Sequence, residues 1–355
     1  MFRLEPRGEI SPAMNYIAPL LAVALTIMSG PILFALLGSD PLTALYTFFI
    51  DPLTNFESLT DVILKAAPLV LIGVGLSFGF RAGVWNIGAE GQFVAGALTG
   101  GMVALAFYEV EHPLILPAMI VAGALGGMSW AAIPAFLRTK FNTNEILTSL
   151  MLTYVAVLIL IMMVNGPLRD PDGMNFPESR LFHDAATVPM LFEGARLDLT
   201  ALFSLLAVGV AWIVLAKHVL GYQFRLIGMA PMAARYAGFS SNRIVWASFL
   251  ISGGCAGIAG TFEVAGPIGQ IVPHVPQGYG FTAIIVAFLG RLHPVGILLA
   301  GLMMALTYIG GEGAQIELNL PSAVTGVFQG MLLFFLLASD VLTKFRVRFD
   351  RPAKA

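Results

Sequence analysis

Gly79-Phe-Arg-Ala-Gly-Val-Trp-Asn-Ile-Gly-Ala-Glu-Gly-Gln92 interrupts two apolar runs, at about 59–80 and 91–108, with Arg81, Asn86, Glu90 and Gln92. Gly79, Gly83, Gly88 and Gly91, with Asn86, weaken any helix through it. The flanking runs approach the roughly 20 apolar residues that a bilayer-spanning helix needs. Broken backbone at membrane depth survives only against protein or a water-filled cavity. A carboxylate there costs roughly 2.5 to 3.5 kcal/mol on insertion scales unless it is solvated or paired. Two readings stay open: a re-entrant turn lining a solute path, or a tight cytoplasmic turn with a solvated Glu90.

Working outward, further apolar runs lie at about 16–38, 113–137, 146–165, 199–216, 244–265, 294–311 and 321–339. One more, Tyr279–Leu289, is short and bounded by Gly278 and Gly290. Of 355 residues 57% are hydrophobic and only 11% charged, which is too little charge to cover a water-soluble globule of this size. Mean hydropathy is +0.84. The single Cys255 excludes a disulfide scaffold, and a net charge of −2 gives no basic face for nucleic acid. The expected fold is an all-α polytopic membrane protein, 1–355 forming one domain, with about ten transmembrane helices.

Charge orients it, because cytoplasmic loops collect Lys and Arg. If the short run crosses and the N-terminus is inside, 15 of the 19 basic residues fall inside. Outside are Arg169, Arg180 and Arg196, while Lys65 lies in a span, four residues after Asp61. Both termini are therefore expected in the cytoplasm. Loops 39–58 and 166–198 are expected outside, and loop 217–243 inside. The first run is read as a retained span, since it is longer than a signal h-region.

Gly278-Tyr-Gly-Phe…Leu-Gly-Arg-Leu-His-Pro294 is a second irregular segment. Breaks near 79–92 and 278–294 lie in opposite halves, as in transporters whose broken helices place their ends at a transport site. Gly75/Gly79, Gly96/Gly100, Gly123/Gly127, Gly253/Gly257 and Gly326/Gly330 have the spacing that brings membrane helices close. In loop 217–243, Met232 to Tyr236 form a short amphipathic helix stopped by Gly238. That helix either fixes topology or docks a cytoplasmic partner.

Catalytic motifs are missing from this sequence. There is no G-x-x-x-x-G-K-[ST], and no lysine follows a glycine. His112, His183, His218, His274 and His293 are scattered, so no metal site or catalytic residue is assigned. Passage or sensing remains. Candidates for the path are Lys65, Trp85, Asn86, Glu90, Gln92 and Phe281, with further aromatic rings at Phe78, Phe80 and Phe288.

Asn86-Ile-Gly-Ala-Glu-Gly-Gln92, preceded by Phe80-Arg-Ala-Gly83, resembles the permease subunits of ABC importers. The superfamily is that of branched-chain amino acid and ribose permeases, and the nearest likeness is to nucleoside-type permeases served by a basic-membrane-protein-like receptor. Ala233-Ala-Arg-Tyr-Ala-Gly238 and Val286-Ala-Phe-Leu-Gly-Arg291 support the likeness. It implies a coupling helix at Met232, Ala233, Ala234, Arg235 and Gly238, where methionine stands in place of the family's glutamate. It also implies a separate ATPase that binds the ATP, so this chain needs no cofactor. A second related permease, an external substrate-binding lipoprotein and a bacterial inner-membrane location complete the picture. The implied solute is a nucleoside. The alternatives are a simple sugar, a branched-chain amino acid, or ion-coupled secondary transport.

Overall fold

A computed structural model describes residues 2–6, 14–191 and 196–349. Every apolar run becomes a helix. The elements in chain order are β1 (Phe2–Pro6), α1 (Met14–Leu36), α2 (Pro41–Phe49), α3 (Asp51–Thr54), α4 (Phe56–Arg81), α5 (Ala89–Ala106), α6 (Ile115–Phe141) and α7 (Glu145–Asn165). Then follow α8 (Leu199–Lys217), α9 (Val219–Met229), α10 (Pro231–Tyr236), α11 (Ser241–Ala265), α12 (Tyr279–Leu289), α13 (Pro294–Leu318), α14 (Ala323–Lys344) and β2 (Phe345–Phe349). Among the described residues seven helices, α1, α4, α6, α7, α8, α11 and α13, are long and apolar enough to cross a membrane. The apolar parts of α12 and α14 are shorter.

Two expected loops are largely helical. Segment 39–58 holds α2 and α3, and α2 starts on Asp40, whose carboxylate accepts the Thr43 N–H at 2.9 Å. Segment 217–243 holds α9 as well as the expected α10. Among the described residues of 166–198 the backbone is mostly irregular, but it is pinned. Its Ser179 and Phe182 N–H groups donate to the Ile271 and Gly269 carbonyls, and Val188 N–H donates to Ala265.

The chain divides into two compact units, with boundaries inside α4 and α13. In the unit made of 1–62 and 306–355, α1 packs along α14. Phe34, Phe48 and Phe328 form its aromatic centre, with ring centroids 4.6 to 6.0 Å apart. Here β1 pairs antiparallel with β2, Phe2 opposite Phe349.

In the unit made of 63–305, α5, α6 and α11 form the centre. Small residues let their backbones touch, which is how membrane helices gain packing where lipid offers no hydrophobic drive. A Cβ on Gly96 would overlap the Gly257 backbone, and one on Gly127 the Gly253 carbonyl. The α5 helix is buried on nearly all sides, as an apolar helix inside a bundle must be.

Candidate functional site

The break sits in this second unit. Helix α4 ends at Arg81, where Val84 N–H donates to the Gly79 carbonyl at 2.9 Å. Residues 82–88 then run without helix to α5. The Ala82, Gly83 and Val84 N–H groups donate to carbonyls at the end of α4, and those of Ile87 and Gly88 to side chains. Asn86 Nδ2 donates to Gln92 Oε1 at 2.8 Å and to Ser252 Oγ at 2.7 Å. Gln92 Nε2 donates back to Asn86 Oδ1 at 3.0 Å, and that oxygen also accepts the Gly88 N–H at 3.1 Å. Ile87 N–H donates to Ser149 Oγ at 3.2 Å. Asn86 and Gln92 are buried. A buried amide with its partners made is stabilising, whereas one without them costs about 1–3 kcal/mol per group.

Glu90 is not solvated; it is 2% exposed. Its Oε1 accepts the Gly278 N–H at 2.8 Å, and its Oε2 the Gly280 N–H at 2.5 Å. Both amides belong to the start of α12, with Gly278 as N-cap. The other end of α12 meets the same segment. Arg81 Nε and Nη2 donate to the Leu292 carbonyl at 3.2 and 2.8 Å. Phe288 stacks at 4.9 Å on Phe80 and at 5.6 Å on Trp85. Segment 81–90 therefore grips α12 at both ends. In the turn after α12, burial and then the Arg81 charge hold the His293 imidazole below its ordinary range.

The remaining path candidates lie around this clamp. Lys65 Nζ donates to Gln277 Oε1 at 3.3 Å and lies 5.4 Å from the Tyr279 ring centre. The Tyr279 hydroxyl donates to Glu263 Oε1 at 3.3 Å or to Gln277 Oε1 at 3.1 Å. Trp85 and Phe281 each stay 39% exposed. Asn86 and Gln92 thus come together, Glu90 joins α12, and Lys65 joins the residues just before and within α12. Ser149 and Ser252 escaped the sequence reading, since lone serines in long apolar helices carry no distinguishing pattern.

Helix α9 abuts the start of the break. Its Phe224 packs edge-on against Phe78 of α4 at 5.4 Å, and a Cβ on Gly228 would overlap the Arg81 carbonyl. Helix α10 follows directly and is closed as expected. Gly238 adopts φ +82°, its N–H donates to Arg235 and Phe239 N–H donates to Ala234, each at 3.0 Å. That is a left-handed helix stop suited to glycine. Ala234 is fully buried, Ala233 and Arg235 are exposed, and Met232 and Tyr236 are exposed apolar side chains.

Residues 58–337 match the family described as the permease component of branched-chain amino acid transport systems. A glucose ABC transporter permease of Haloferax volcanii is 37% identical over 98% of this chain and 94% of its own length. A guanosine ABC transporter permease of Bacillus subtilis is 28% identical over 92% of this chain and 94% of its own. A nucleoside ABC transporter permease of Lactococcus lactis subsp. cremoris is 25% identical over 92% of each. No solved structure matches. The likeness carried by Asn86–Gln92 thus extends over most of the sequence, and the chain belongs to the permease-component family of branched-chain amino acid transport systems, with glucose and nucleoside ABC permeases among its relatives.

Proposed function

We propose that this chain is the membrane subunit of an ABC importer in the bacterial inner membrane, carrying a small uncharged polar solute, a nucleoside first. A separate ATPase supplies the power stroke, an external binding lipoprotein delivers the solute, and a second, related permease completes the path. Both termini and 217–243 face the cytoplasm in this reading, and 39–58 and 166–198 face outward. A simple sugar is the second reading, favoured by the glucose permease among the relatives.

The observation that carries the proposal is the seating of α9. It presses on Phe78 and Arg81, where the break begins, while α10 beside it presents Met232, Arg235 and Tyr236. A push on α9–α10 has a short packed route into α4, along 82–88, and so to α12. Packed elements of this kind move as bodies between discrete arrangements. Trp85 and Phe281 supply rings that face the solute, and Lys65 stands at the rim. Asn86, Glu90 and Gln92 hold the backbone behind them.

The test is reconstitution in vesicles with the partner ATPase, the second permease and the receptor. Uptake of guanosine that requires ATP is expected, and glucose uptake would select the sugar reading. Uptake by this chain alone, driven by an ion gradient, would overturn both.

A further inference from the structure

The unusual feature of the clamp is what fills its centre. Glu90 lies in the first turn of α5, so its carboxylate sits at the positive end of its own helix. The same carboxylate accepts two amides from the start of α12. The two helix starts also touch, because a Cβ on Gly280 would overlap the Glu90 backbone. Each helix N-terminus carries roughly +0.5 of a charge, so together they come to about the one negative charge placed between them. Among the described residues the carboxylate's hydrogen-bond partners are amides and not cations. Elsewhere in proteins an anion from outside occupies such helix starts.

We infer that Glu90 is a built-in counter-anion, the positioning residue that locks the α5 and α12 N-termini into one body through its charge. Two consequences follow. Helix α12 travels with the break rather than independently of it. The junction is also closed to an anionic group of the solute, which agrees with the uncharged solutes named for the relatives. The second consequence rests on the transport reading above, and the first does not.

The test compares Glu90→Ala and Glu90→Gln in the purified chain and in the assembled transporter. Glu90→Ala leaves room for a small anion. Its melting temperature in detergent should fall and be restored by sodium formate, but not by formamide, which has a similar shape without the charge. Glu90→Gln fills the space, and it should melt below the original chain and ignore formate. In vesicles, Glu90→Ala should lose about tenfold in uptake, a loss of the size a buried helix-end charge commands, with formate restoring most of it.

Equal rescue by formamide, or a Glu90→Gln chain as stable and active as the original, would overturn the inference. If Glu90→Ala does not fold, the Glu90→Gln melting comparison still decides. Melting needs no ATPase, receptor or solute, so its failure leaves the transport reading standing. Absence of uptake in the original complex would in turn leave the melting result intact.

Discussion

Segments 82–88 and 217–243 both leave the pattern of long apolar helices, and they solve opposite problems. The first turns the Asn86 amide inward to Gln92 and Ser252, gives the Ile87 and Gly88 N–H groups to Ser149 and Asn86, and its remaining turn N–H groups to α4 carbonyls. The second has a buried face, Gly221, Phe224 and Ile227, and an outer one on which Tyr236 is 90% exposed. A region that must hold its shape in a low-dielectric interior satisfies every donor, because an unmade hydrogen bond is most expensive there. A region that must be gripped leaves large side chains unused. The contrast separates the part that transmits from the part that receives.

The largest expected effect breaks the inner segment. Asn86→Ala leaves the Gln92 amide and the Gly88 N–H without their partner in a buried place, while the Ser252 hydroxyl keeps its bond to the Phe249 carbonyl. At about 1–3 kcal/mol for each such group, the chain should lose roughly 3 kcal/mol or more. A melting curve in detergent checks this, and an unchanged curve would mean that the amide pair is not what holds the break. Gly280→Ala comes next. Its methyl group would meet the backbone of Ala89 and Glu90 on the facing helix start, where nothing flexible can give way. Overpacking of that kind costs about 1–3 kcal/mol, and it should lower uptake together with stability.

Much of this arrangement was legible beforehand, for reasons that differ by residue. The helices followed from apolar runs, and the close approach of α5, α6 and α11 from glycines four apart. The same spacing at Gly326 and Gly330 meets no partner among the described residues, since nothing beyond its own helix lies within 4 Å of the space a Cβ would take. Spacing permits contact but does not supply the partner. The breaks near 79–92 and 278–294 are both visible in the sequence, yet not that one grips the other, because Glu90 and Gly280 are 190 residues apart. The stretch holding Phe48 read as a loop because it joins two spans. Its ring is fully buried against Phe34 and Phe328, which only packing reveals.

The smallest effect on stability gives the sharpest form of the comparison. Met232→Ala and Tyr236→Ala remove exposed side chains from α10 while leaving Ala234 and the Gly238 stop in place. Exposed substitutions away from caps and cores stay within about 0.5 kcal/mol, so both variants should melt like the original chain. Their uptake per ATP hydrolysed in the full complex should nevertheless fall, because a partner that seats on this helix loses its apolar anchors. Asn86→Ala fails by the opposite route, through a chain that no longer holds its shape. Should the α10 variants couple normally, the exposed rings are ordinary surface, and the receiving contact must be sought on α9. Should they melt early instead, α10 is part of the rigid body, and the division between transmitting and receiving segments does not hold.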